Sequence, residues 1–200
     1  MSKTIELSKE AVDAWDLTGV VKYASWCKNA QYFNREGGKE HYRLIGYLAH
    51  QIGGEFFVDI GTYMGLSALA LSTVGKKVVT YDVCDWIPDP DVEKLTVKTK
   101  DNVEFRIANC LHDMDELAKS DFIVLDIDPH DGGLEPVIMD ALDKHGFKGV
   151  LFLDDIGLNA DMKLFWNGIT QKKYDATKYG HWSGSGVVVY DPSRFDFTFE

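Results

Sequence analysis

Six short apolar bursts recur through the last three quarters of the chain: EFFVDI (55–60), KVVTYDV (77–83), VEFRIA (103–108), DFIVLDI (121–127), GVLFLDD (149–155) and GSGVVVY (184–190). Each is bounded by polar or turn residues and rich in β-branched and aromatic side chains, the pattern of a buried strand. Between most of them lie stretches with helical spacing, at 66–74, 91–98, 112–119, 133–145 and 159–172. This alternation narrows the fold sharply, because parallel strands need crossover connections and a parallel sheet must be covered on both faces. The spacing predicts an α/β fold with a doubly wound, mostly parallel sheet. In the closing segment TKYGHWSGSGVVVYDPSRFDFTF, two strand-like runs flank a Gly/Ser turn and predict an antiparallel hairpin on the sheet edge.

Ahead of the first burst the apolar period is different. Val12, Trp15 and Leu17, then Val20, Val21, Tyr23, Ala24 and Trp26, suggest short amphipathic helices. A stronger helix is expected from Lys39 to Ile52, with Tyr42, Ile45, Leu48 and Ala49 on one face. With no repeat, low-complexity tract or Pro/Ser linker, the 200 residues read as one domain. Its parts are a helical N-terminal extension at 1–52 and an α/β core at 53–200. A formal charge of −11 sets the chain against nucleic-acid backbones, which bind through cationic surfaces. Cys27, Cys84 and Cys110 are scattered and odd in number, which argues against a disulfide framework or a zinc site. The lack of a membrane-length apolar run or signal-type leader gives the expectation of a soluble, cytoplasmic protein that does not engage membranes.

In an open α/β sheet the chemistry gathers at the carboxyl ends of the strands. The first core strand runs into Asp59-Ile60-Gly61-Thr62-Tyr63-Met64-Gly65-Leu66-Ser67, a turn whose glycines let the backbone approach a ligand. A nicotinamide dinucleotide site would want GxGxxG, but Tyr63 stands where the middle glycine would be. Asp59, two positions before the first glycine, suits an ammonium group better than a pyrophosphate. Asp82 ends the second core strand at about the 20-residue separation at which a carboxylate meets ribose hydroxyls. Its alternative is one solvated acid among Asp85, Asp89 and Asp91.

The Asp59–Ser67 turn resembles motif I of the class I S-adenosylmethionine-dependent methyltransferases. Within them it is similar to the small O-methyltransferases of the catechol and caffeoyl-coenzyme A type, over roughly Glu55 to Asp155. The resemblance implies a Rossmann-like methyltransferase fold: a seven-stranded, mostly parallel sheet ending in an antiparallel hairpin. It also implies S-adenosylmethionine as cofactor, bound by Asp59, Gly61, Tyr63, Gly65, Ser67, Asp82, Asn109 and Asp126. Asn109 stands where the family commonly has an acid near adenine, and a plain turn asparagine is the other reading.

Strands four and five deliver Leu125-Asp126-Ile127-Asp128-Pro129-His130-Asp131 and Leu153-Asp154-Asp155. So many carboxylates around one crevice repel one another unless cations neutralise them. Hard oxygen ligands in excess, without a nearby cysteine, suit Mg²⁺, or else Ca²⁺ or Mn²⁺, over zinc. The metal-dependent catechol-type enzymes carry an acid ending strand four and an Asp-Asn pair ending strand five, which here fall on Asp126, Asp154 and Asp155. The fourth strand is also similar to the Asp-Gly-Asp-His pattern of bacterial sugar and natural-product methyltransferases, which places catalysis on Asp128 and His130. The plain alternatives are surface acids, a helix cap at Asp155 and a solvated His130. His181-Trp182 is read as a turn with a packed tryptophan, although such a hairpin loop can overhang a substrate. The expected activity is methyl transfer to an oxygen of a small hydroxylated acceptor, assisted by a divalent cation and with residues 1–50 as a lid. The rival is a non-catalytic cofactor-binding or interaction module on the same fold. A homodimer stays open.

Overall fold

The computed structural model describes residues 2–35, 38–91 and 95–200. Nine strands and seven α-helices are assigned among them. In chain order they are β1 (Lys3–Leu7), α1 (Lys9–Asp13), α2 (Thr18–Val21), α3 (Lys39–Ile52), β2 (Phe56–Ile60), α4 (Leu66–Ser72), β3 (Lys77–Asp82) and β4 (Val103–Ile107). There follow α5 (Met114–Leu117), β5 (Phe122–Leu125), α6 (Leu134–Lys144), β6 (Val150–Asp154), α7 (Ala160–Gly168), β7 (Lys172–Asp175), β8 (Ser185–Val189) and β9 (Phe195–Phe199).

Seven strands form one sheet in the order β4-β3-β2-β5-β6-β8-β7. The β2–β3, β3–β4, β2–β5 and β5–β6 pairs are parallel, while β8 runs antiparallel to both β6 and β7. The expected α/β architecture is therefore the observed one. The hairpin is made by β7 and β8, with β8 inserted between β6 and the edge strand β7. From β2 the chain winds outward through β3 and β4, then crosses back to continue as β5 and β6. The winding reverses between β2 and β5, the place where such sheets open a crevice.

Strand periodicity divides the core. Phe57, Val78, Phe122, Val124 and Phe152 face a layer built from α3, α4 and the N-terminal segment. Val58, Ile60, Val79, Ile123, Leu125 and Leu151 face α5, α6 and Phe165 of α7. Fully buried on both faces, these strands carry continuous apolar runs.

The N-terminal segment differs from its helical expectation at its start. Lys3–Leu7 forms β1 and pairs in parallel with β9 as a separate two-stranded sheet. Its apolar side chains Ile5 and Leu7 are completely buried. The short helices α1 and α2 follow, then a 3₁₀ segment at Lys28–Phe33. On α3 the buried side is His41, Leu44, Ile45, Leu48, Ala49 and Ile52, so its core face is centred one residue from the expected one and takes in His41. The helix expected at 91–98 falls partly outside the described residues, and the part inside holds a 3₁₀ turn at Val97–Thr99. Among the described residues no helix is long and apolar enough to cross a membrane.

Candidate functional site

A cavity of about 770 Å³ opens at the carboxyl ends of β2, β3, β4 and β5. Its floor is the turn after β2. Gly61 has φ 101°, and a Cβ there would lie 1.6 Å from the carbonyl oxygen of Asp126. Only glycine lets the β2 and β5 ends come this close. The turn is tied to β3, since Gly61 N and Thr62 N both donate to Tyr81 O and Tyr63 N donates to Asp82 Oδ2 at 2.8 Å. Asp82 Oδ1 accepts from Cys84 N at 2.9 Å, so its carboxylate is oriented by two backbone donors at the cavity wall. Gly65, at φ 79°, caps α4. Val97 packs where its side chain would be.

Beside the cavity the same pleat that faces α3 carries three acids. Asp59 follows Phe57, Asp126 follows Val124 and Asp154 follows Phe152, each two residues along its strand and therefore on the same face. Asp59 is completely buried. Its Oδ2 accepts from Thr80 Oγ1 at 2.6 Å and its Oδ1 has no partner. Burial pushes its carboxyl up to about 7. Burial and then Asp154, Asp59, Asp155 and Asp128 drive Asp126 well above the ordinary carboxylate range. These shifts follow from desolvation and from like charges held close together.

His130 stands on the far side of Asp126 with a left-handed backbone, φ 53°. Its Nε2 lies 3.7 Å from Asp126, 3.7 Å from Asp128 and 3.6 Å from Asp155. The loop is held by Asn159 Nδ2, which donates to His130 O at 2.7 Å. Asp155 is also left-handed, φ 57°, and its carboxyl is raised by burial and by Asp154.

No protein-family model and no curated protein matches the sequence. Solved structures do match its fold. A methyltransferase from Geobacter sulfurreducens superposes with a TM-score of 0.59 at 14% identity, covering 89% of each chain. The S-adenosylhomocysteine-bound methyltransferase PaMTH1 of Podospora anserina gives 0.58 at 15% identity, over 87% of this chain and 88% of that one. An O-methyltransferase from Bacillus cereus, also in complex with S-adenosylhomocysteine, gives 0.56 at 16% identity, over 86% and 90%. The fold is that of the Rossmann-like methyltransferases.

On this methyltransferase fold the residues singled out in the sequence divide into two groups. Gly61, Tyr63, Asp82, Asn109, Asp126, Asp128 and His130 line the cavity. Asp59, Gly65, Ser67, Asp154 and Asp155 do not. Asn109 Oδ1 accepts from Leu111 N at 3.0 Å and caps a short 3₁₀ turn at the cavity edge. Among the described residues of 1–52, none is part of this cavity's lining. The lining adds Trp86, half exposed and edge-on to Tyr63, together with Leu134 and Ile138. Their only sequence signal is position, just after β3 and at the start of α6.

The carboxylates Asp126, Asp154 and Asp155 do not gather into one ligand-sized group. Among the described residues, the three side chains whose donor atoms come within 4.8 Å of one another are His41, Asp154 and His181. The tri-carboxylate ligand set is therefore not drawn together among the described residues. Asp154 is instead turned to the two histidines, 2.9 Å from His181 and 3.5 Å from His41. Burial alone would raise Asp154, but His41 and His181 outweigh it and hold the carboxyl below its ordinary value. Sequence reading missed His41 because it sits inside an amphipathic helix, and it read His181 with the wrong neighbour. Trp182 is 79% exposed, not packed, and it is His181 that turns inward.

Proposed function

We propose that the protein is an S-adenosylmethionine-dependent methyltransferase acting on an oxygen of a small hydroxylated acceptor. The observation that carries this reading is the cavity at the reversal point of the sheet, where one wall offers an oriented carboxylate and the other a histidine set among acids. Asp82, with two backbone donors fixing its oxygens, has lone pairs left to accept from ribose hydroxyls. The Gly61–Tyr63 turn lets the chain pass close to the methionine portion. Asn109 offers amide hydrogens towards adenine. Asp59 lies behind the wall, and its unpartnered Oδ1 would meet the cofactor's ammonium through a water.

In the reaction the acceptor oxygen attacks the sulfonium methyl in line, the carbon–sulfur bond breaks with its electron pair on sulfur, and S-adenosylhomocysteine and a methyl ether are formed. The hydroxyl proton passes to His130, and the imidazolium formed there has Asp126, Asp128 and Asp155 within 3.7 Å to balance it. Because transfer neutralises the sulfonium, the protein's work is alignment and exclusion of water more than polarisation.

Calorimetric titration with S-adenosylhomocysteine tests the reading. Micromolar affinity, about −8 kcal/mol, is expected. Folded protein that takes up none of it would overturn the assignment. His130→Ala should leave that affinity nearly unchanged and lower kcat on a methylated acceptor by roughly 10²- to 10⁴-fold.

A further inference from the structure

His41, Asp154 and His181 come from three distant places: the first turn of α3, the end of β6 and the loop before β8. Their side chains are 4%, 8% and 13% exposed. Asp154 Oδ1 lies 2.9 Å from His181 Nε2 and 3.5 Å from His41 Nδ1. His41 Nδ1 has no hydrogen-bond partner, and Asp154 Oδ1 meets only the His181 contact. A buried ring nitrogen left unpaired 3.5 Å from a buried carboxylate is costly unless something else sits between them.

We infer that His41, Asp154 and His181 form a binding site for a borderline transition-metal ion of the Zn²⁺ class. A tetrahedral ion bound at about 2.0–2.1 Å places adjacent donors roughly 3.3 Å apart, and the two measured separations fall on either side of that value. Two imidazoles and one carboxylate are the donor set of open Zn²⁺ and Fe²⁺ sites, and they disfavour Mg²⁺, which wants oxygen. The absence of paired cysteines does not bear on such a site. The outer shell fits as well. His181 Nδ1 is 2.5 Å from Ser183 Oγ, which fixes the ring so that Nε2 is the nitrogen presented to the ion. The rings of Tyr42 and Phe152 stand edge-on to His41 at 4.9 and 5.6 Å and wall off water.

Three protein donors leave at least one position free. An oxygen of a bound molecule, such as an acceptor hydroxyl, would fill that position. This last point rests on the methyltransferase reading, whereas the metal site itself does not.

The full chain, stripped with chelator and shown folded by circular dichroism, is titrated with Co²⁺ and its visible d–d absorption recorded. About one equivalent should bind, with the intense bands of a low-coordinate nitrogen–oxygen site, and Zn²⁺ should displace it. His181→Ala, the least buried of the three, should weaken binding about 100-fold or more while keeping the fold. His41→Gln should do the same, and Asp126→Asn and Asp155→Asn should leave Co²⁺ affinity within about threefold. Folded protein that binds neither ion, binding indifferent to His181→Ala, or binding lost in the Asp126 or Asp155 variant would each overturn the site. S-adenosylhomocysteine affinity, measured on the same stripped protein, separates the two claims: its absence sinks the methyltransferase reading and leaves the metal result standing.

Discussion

The two halves of the crevice are built in opposite ways. The half over β2, β3 and β4 is made by backbone: Gly61 at a positive φ, amides of Gly61 and Thr62 donating to Tyr81 O, and amides of Tyr63 and Cys84 orienting Asp82. The half over β5 and β6 is made by side chains, Asp126 and His130 at the cavity wall and Asp154, Asp155, His41 and His181 packed behind them. A backbone-made site recognises what many ligands share, such as a nucleoside's hydroxyls and amine. A side-chain-made site can be changed one residue at a time. The first half suits a cofactor and the second an acceptor.

The largest expected effect breaks both halves at once. Gly61→Ala puts a methyl group 1.6 Å from the Asp126 carbonyl and demands a positive φ of a residue with a Cβ. The ends of β2 and β5 must move apart, carrying the cofactor turn away from the acids. A stability loss of roughly 3 kcal/mol or more in urea unfolding is expected, together with loss of S-adenosylhomocysteine binding. A variant of unchanged stability and affinity would show that this contact does not hold the halves together.

Asp82→Ala should separate them. It deprives Tyr63 N and Cys84 N of their acceptor and the ribose of its carboxylate. Calorimetry should show affinity for S-adenosylhomocysteine reduced roughly 10- to 100-fold. Co²⁺ uptake, which depends on the other half, should not change. Coupled losses would mean that the division drawn here is wrong.

The same division explains what could be read in the sequence. Gly61, Tyr63 and Asp82 lie within one strand–turn–helix–strand unit, so a local pattern and the family resemblance it carries place them, and they do line the cavity. The six apolar bursts became β2 to β6 and β8 for the same reason, since each is a local pattern, and all but the edge strand β4 are largely buried. The features that escaped depend on contacts far apart in the chain. Lys3–Leu7 looks like nothing in isolation and becomes a strand only against Phe195–Phe199. His41 belongs to a helix whose pattern is satisfied without it, and it meets Asp154 and His181 only after the sheet has formed. Strand β7, KKYD, is short and charged, and takes its pairing from β8.

The smallest effect concerns Asp59, which lies beneath both halves. Its carboxyl titrates near 7 in the folded chain against 3.8 ordinarily, because burial disfavours the anion more than the Thr80 hydrogen bond favours it. Between about pH 4 and pH 7 the native protein therefore keeps a proton that the unfolded chain has released. Stability from this group is complete below pH 4, falls by up to about 1.4 kcal/mol per pH unit as pH rises, and is flat above 7. Asp126 is shifted in the same direction, so the total slope does not identify its source, but the difference between wild type and Asp59→Asn does. The variant should unfold in urea with a shallower dependence on pH across that window. Its absolute stability is a poorer guide, because the new amide needs an acceptor that the buried pocket around Thr80 does not supply. A positive ligand changes the outcome for wild type alone. The cofactor's ammonium, brought near Oδ1, favours the anion, so binding near pH 6 should release protons from wild type and release fewer from Asp59→Asn. Buffers of different ionisation enthalpy read that count directly. Equal proton release from the two proteins would place the cofactor's ammonium elsewhere and confine Asp59 to bracing the turn through Thr80.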